Sequence, residues 1–162
     1  MPLSERLRSF LDSHHAEYTF TTHPKAFTAR EVAVAEHLPP REVAKTVVIL
    51  GDGAYSIIVI PASRLVDLHE VRTTLGFSQV RLATENELGT LFPDCEIGAM
   101  PPLGPLYDIP VYLDGTLAAQ ETIAFNAGTH CDVIHMGLAE FRRLVAPRVV
   151  SLAREVAASY GW

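Results

Sequence analysis

The chain has 162 residues, of which 48% are apolar and 20% charged, with a formal net charge of −6. That length predicts one domain over residues 1–162 with a real core, and the acidic balance excludes a protein that coats nucleic acid through a global positive field. No apolar stretch approaches the roughly 20 residues that cross a bilayer, and Met1-Pro2-Leu3-Ser4-Glu5-Arg6 has no hydrophobic signal core, so the expected location is the cytoplasm, with Cys95 and Cys131 as reduced thiols.

In chain order, residues 4–15 carry Leu7, Phe10 and Leu11 at helical spacing behind Ser4 as N-cap. Residues 18–22 alternate like a short strand. Thr28-Ala29-Arg30-Glu31 is a capping box opening a helix to about residue 37, stopped at Leu38-Pro39-Pro40. Residues 43–50 and 54–60 are apolar, β-branched runs around Gly51-Asp52-Gly53, which predicts a β-hairpin. A helix is expected over 63–75, closed by Gly76, then a strand over 79–82 and a brief helix from the capping box at Thr84 to Leu91. Strands follow over 95–98 and 110–113, with Asp114-Gly115 as a turn, then over 121–126 and 131–136. Helices over 139–145 and 151–160 close the chain. The order predicts an α+β domain with a mixed sheet and peripheral helices.

Lys45 stands out within the first strand of the hairpin. The chain has thirteen cationic side chains, yet Lys25 and Lys45 are its two lysines. A lysine in a core strand of so arginine-rich a chain suggests a site that needs a slim ammonium, since guanidinium is bulkier, planar and permanently charged. An unpartnered buried ammonium costs several kcal/mol. The plainer alternative is a strand-end lysine that extends its head to water.

Two further segments could carry chemistry. In Gly98-Ala99-Met100-Pro101-Pro102-Leu103-Gly104 the glycines allow close backbone approach and the prolines stiffen the loop. Free amides of Gly98, Ala99 and Met100 could then face an oxyanion or carbonyl. Asn126-Ala127-Gly128-Thr129-His130 joins two predicted strands, and His130 there is either a solvated turn residue or a pocket group that bonds a substrate amine or hydroxyl. Metal and cofactor chemistry find no pattern. Cys131 and His135 share a face of a regular strand, but zinc needs three or four converging ligands, H-E-x-x-H is absent, and so are G-x-S-x-G, G-x-G-x-x-G and the P-loop. No cofactor or metal is expected.

Taken together, Phe27-Thr28-Ala29-Arg30-Glu31-Val32-Ala33, Ala44-Lys45-Thr46-Val47-Val48, the Gly98 to Gly104 loop and Asn126 to His130 resemble the YbaK/ProX family. These are free-standing relatives of the editing domain inserted in bacterial prolyl-tRNA synthetases, and the likeness runs from about residue 27 to 144. The resemblance implies a mixed sheet curled into a partial barrel. It also implies trans-editing, the hydrolysis of the ester between a wrong small amino acid (Ala, Cys, Ser or Thr) and the 3′-terminal adenosine of tRNA, with tRNA(Pro) the expected carrier.

By the same resemblance Lys45 and Gly98 are the catalytic positions. Thr28, Thr46, Ala99, Met100, Pro101, Pro102, Gly128, Thr129 and His130 bind or shape the substrate. Thr46 departs from alanine-editing relatives that carry Asn after the lysine. The implied partners are the acceptor end of aminoacyl-tRNA and a synthetase, with neither DNA nor membrane. A non-catalytic binder of a nucleotide-like ligand on the same fold, or a hydrolase of another small ester, remain the alternative readings.

Overall fold

A computed structural model describes residues 4–155. It begins with α1 (Glu5–Ser13), β1 (Thr19–Thr22) and α2 (Ala29–Ala35). The α2 capping box forms as the sequence predicts: Thr28 Oγ1 accepts the Glu31 N–H at 3.1 Å, and Glu31 Oε1 accepts the Thr28 N–H at 3.0 Å. A 3-10 turn (Pro40–Glu42) leads into β2 (Ala44–Gly51), which folds back into β3 (Ala54–Pro61). Then come β4 (Arg64–Val66), α3 (Leu68–Leu75), β5 (Val80–Leu82) and α4 (Glu85–Leu91). The chain continues through α5 (Gly104–Tyr107), β6 (Val111–Asp114), α6 (Gly115–Ala118), β7 (Thr122–Asn126) and β8 (Asp132–Gly137). It ends in α7 (Leu138–Val145), β9 (Arg148–Val150) and β10 (Ala153–Glu155).

The hairpin β2–β3 is the centre of a five-stranded mixed sheet in the order β5-β2-β3-β6-β9, antiparallel up to β3 and parallel from β3 to β9. Both of its faces are covered, which is why β3 reads as an unbroken apolar run. Ile57 and Val59 face a core with Leu103, Phe125 and Phe141, while Ile58 and Ile60 face Val71 and Leu152. The antiparallel sheet β1-β8-β7 meets this sheet at one parallel bridge, Val43 to Ala124. Beyond that bridge the two sheets diverge, and neither closes on itself among the described residues. The fold is α+β, built around one mixed sheet, as expected.

A buried carboxylate cluster fixes α2 against the smaller sheet. Glu36, at the end of that helix, accepts the Thr21 hydroxyl on Oε1 at 2.6 Å, and His135 Nε2 lies 2.8 Å from the same oxygen. Since a carboxylate oxygen only accepts, His135 carries its proton on Nε2.

Four expectations need correction. The helix expected over 63–75 starts only at Leu68, because Arg64–Val66 pairs antiparallel with Ala153–Glu155. That pairing also replaces the start of the helix expected over 151–160; residues 156–160 of that expectation lie outside the described residues, as do Met1 to Leu3. Residues 95–98 are not a strand: their backbone bonds go to a tight turn and to the loop at Gly128. Asp114-Gly115 opens helix α6 instead of forming a simple turn.

Asp114, 2% exposed, ties three elements together. Its Oδ2 accepts the Thr116 N–H and hydroxyl, and its Oδ1 accepts the Leu152 N–H at 2.9 Å. Asp114→Ala strands the Leu152 donor and removes a helix cap. It is expected to lower unfolding free energy by about 2–4 kcal/mol, read as a lower midpoint in urea.

Candidate active site

The wedge where the two sheets part is a cavity of about 620 Å³, within the range of small-molecule sites. Val43 and Ala124 touch in parallel register, so two residues further along, Lys45 on β2 and Asn126 on β7 both reach the same hollow. Val32 and Ala62 add apolar wall, and Gly98 and Met100 bring in the loop before α5.

Lys45 Nζ donates to the Arg64 carbonyl at 3.2 Å, its one protein hydrogen bond among the described residues. None of the ion pairs among the described residues includes it. Burial, and secondarily the Arg30 guanidinium, push its pKa below the ordinary 10.5. The strand holds an ammonium that no carboxylate pairs with among the described residues.

The Gly98 loop is locked to the loop at Gly128 by a ladder of bonds. Glu96 N–H donates to Gly128 O at 2.7 Å, and Gly128 N–H donates to Ala99 O at 2.9 Å. Glu96 Oε1 accepts the His130 N–H at 2.7 Å, and His130 Nε2 lies 2.9 Å from Ile97 O, which makes it the protonated nitrogen. Gly98 and Gly128 sit at φ +87° and +97°, a conformation side-chain-bearing residues rarely adopt. A Cβ at Gly98 would stand 3.4 Å from His130 Cε1. The imidazole therefore braces the back of Gly98.

The expected site residues divide into two groups. Lys45, Thr46, Thr28, Gly98 and Met100 line the cavity. Ala99 is fully buried, Pro101 and Pro102 are buried off the cavity wall, and Gly128, Thr129 and His130 form the supporting loop behind it. Thr129 Oγ1 is committed to its own turn, donating to Asp132 Oδ2 at 2.6 Å. Of the three amides expected to be free, Ala99 N–H is used by Glu96 O, because residues 96–99 close a turn. Gly98 N–H points at the Met100 thioether at 3.2 Å, a weak acceptor that a substrate oxygen can replace.

The sequence reading gave no role to Glu96, Glu85 or Asn126. Glu96 supplies both backbone and side-chain bonds to the ladder, Glu85 lines the cavity, and Asn126 Oδ1 is buried there without a partner. Asn126 belongs to the Asn126-Ala127-Gly128-Thr129-His130 motif, but nothing in those residues marks an unpaired amide. Burial raises the Cys95 thiol to about 11, so it is no thiolate nucleophile at neutral pH. Among the described residues, no three His, Cys, Asp or Glu side chains converge as a metal site would require.

The cleft thus brings together a cation on a core strand and two interlocked glycine turns. The family described as "Aminoacyl-tRNA editing domain" matches residues 23–144, and the chain belongs to it. Over 155 residues it is 24% identical to the multifunctional Ser/Thr-tRNA deacylase ProXp-y of Escherichia coli K12, covering 93% of this chain and 92% of that one. A stretch of 96 residues is 28% identical to the proline–tRNA ligase of Bacillus cytotoxicus, spanning 59% of this chain but 17% of the ligase. Among solved structures, one described as a proposed trans-editing enzyme for prolyl tRNA synthetase shares the fold, with TM-score 0.80, 23% identity and coverage of 94% and 99%. The hypothetical protein APE2540 does so at TM-score 0.83, 19% identity and coverage of 93% and 100%.

The lowered Lys45 pKa has a stability consequence. The folded chain holds this proton less tightly than the unfolded chain, so the cost is present below the lowered value and recedes as pH rises from there toward 10.5. Lys45→Met is expected to raise the urea midpoint at neutral pH, with the gap narrowing toward 10.5. A variant less stable than the native protein at every pH would refute an uncompensated ammonium.

Proposed function

We propose that this protein is a trans-editing aminoacyl-tRNA deacylase that hydrolyses the ester of a mischarged small amino acid (alanine, cysteine, serine or threonine) on tRNA(Pro). The observation that carries the reading is the Lys45 ammonium, free of any carboxylate partner among the described residues and lining the same cavity as Gly98. Membership of the editing family and the likeness to a Ser/Thr-tRNA deacylase and a proline–tRNA ligase support the substrate class.

The chemistry asks little of the protein, because an aminoacyl ester is already activated. Water adds to the carbonyl carbon, the bond from that carbon to the ribose oxygen breaks, and the ribose hydroxyl leaves with a proton. As the carbonyl oxygen gains negative charge, a fixed ammonium and a backbone N–H aimed at it stabilise the transition state more than the ground state. Lys45 supplies the ammonium and Gly98 the N–H, once the substrate oxygen replaces the Met100 sulfur. Lys45 has no ion pair to break among the described residues, so it need only exchange the Arg64 carbonyl for a substrate oxygen.

Thr28 and Thr46 limit the pocket beside the scissile bond, and His130 acts as a positioning residue that holds Gly98 forward. Thr28 Oγ1 accepts its helix-cap bond, and its methyl helps to set the size of the amino acid. No general base is assigned to these residues. The ribose hydroxyl adjacent to the ester is suited to relay the proton from water, a substrate-assisted route.

A panel of tRNA(Pro) charged with alanine, cysteine, serine or threonine tests the proposal. The native protein should clear at least one, and Lys45→Ala should lose about 100-fold or more in rate with its circular dichroism unchanged. A native protein that clears none of the four would instead favour a non-catalytic binder.

A further inference from the structure

The face of the β1-β8-β7 sheet that carries α2 is covered along only part of its length. Thr19, His135 and Ala124 stand in one cross-strand row, and Thr21, Val133 and Asn126 form the matching row two residues along, so both rows share a face. Val133 packs in a cluster with Val32 and Ala33 of α2. The helix ends at Ala35, and the chain turns away through His37, at φ +56°, to Leu38 and the 3-10 turn. Past that end, the row of Thr19, His135 and Ala124 lines a second cavity of about 540 Å³, again in the small-molecule range. It shares no lining residue with the Lys45 cavity. The bridge between the sheets stands between them: Val43 lines the first and Ala124 the second.

His135 gives this hollow a fixed polar group. Both hydrogen bonds of its ring among the described residues use Nε2, toward Glu36 Oε1 and Thr21 Oγ1. The Glu36 side chain is only 7% exposed, so an enclosed carboxylate holds the imidazole in place. With the proton on Nε2, Nδ1 of the neutral ring is an acceptor, and it is the nitrogen left for a ligand. Tyr18 and Leu38 add apolar wall, and Glu17 and Glu42 add carboxylates. Glu17 makes no ion pair among the described residues, and Glu42 has Arg41 at 3.9 Å, with the Arg41 side chain 63% exposed. Such an exposed pair neutralises little, and among the described residues no lysine or arginine lines the hollow.

We propose that this hollow binds a small organic cation, a primary amine carried on an apolar body. An ammonium has three N–H donors, and the acceptors that line the hollow are the two carboxylates and His135 Nδ1. The apolar body rests against Leu38 and Tyr18, whose ring attracts a cation as well. A carboxylic acid of the same shape would meet two like charges. An uncharged apolar molecule would leave His135 Nδ1 and both carboxylates unanswered. The proposal is independent of the deacylase reading, because no residue of that site takes part.

Phenethylamine is the probe, titrated into the full chain at low ionic strength with NMR as the readout. At up to about 20 mM, enough to load a millimolar site, it should shift Tyr18, Leu38 and His135 together, with His135 Nδ1 moving more than Nε2. Phenethyl alcohol, its neutral counterpart, should bind about fivefold or more weakly, and hydrocinnamate should leave these signals unmoved. The double substitution Glu17→Gln and Glu42→Gln should weaken phenethylamine about fivefold or more, while Lys45→Ala changes it by less than about twofold. Unmoved signals at these three residues, equal binding of the alcohol, or full affinity in the double variant overturns the proposal. Shifts of Tyr18 and Leu38 on dilution without the probe also overturn it, since a second copy of the chain then fills the hollow.

Discussion

An ammonium in a core strand, held by a single carbonyl and answered by no carboxylate among the described residues, is the constraint around which this structure is arranged. A protein stabilised by a few kcal/mol per domain has little room for an uncompensated buried charge. The fold tolerates it because β2 lies where the two sheets separate, so the Lys45 head reaches a cavity instead of the packed core. The bridge between Val43 and Ala124 sets that geometry: one step earlier the sheets touch, and one step later they are parted by a ligand-sized gap.

The second requirement is a fixed backbone opposite that charge. A glycine at φ +87° in an exposed loop would wander unless other groups over-determined it. Here Glu96, Gly128 and His130 do so from behind, through two backbone bonds, one carboxylate bond and one imidazole bond. His130, the most chemical-looking residue of its motif, here braces a residue with no side chain, while Thr129 stays within its own turn.

Much of this was legible in the sequence, for local reasons. Capping boxes at Thr28 and Thr84 and the turn at Gly51-Asp52-Gly53 are written in contiguous residues, and each formed where expected. Lys45 was conspicuous because lysine is rare in this chain and rarer still in a buried strand. The strands at Arg64, Arg148 and Ala153 were not legible, because they form through pairing with partners far along the chain. The same holds for the site: the bonds of Glu96 to the Gly128 loop join residues more than thirty positions apart. An exposed Phe27 reads as one more apolar residue before a helix cap until the cavity beside it is seen.

The most direct test of the central claim is a structure of the protein bound to a non-hydrolysable 3′-amide analogue of an aminoacyl-adenosine. The account predicts that Lys45 Nζ gives up the Arg64 carbonyl for an oxygen of the analogue at about 2.7–3.2 Å, with the analogue's carbonyl facing Gly98. An analogue bound in the cavity with Nζ still on Arg64, or seated away from Gly98, would contradict it.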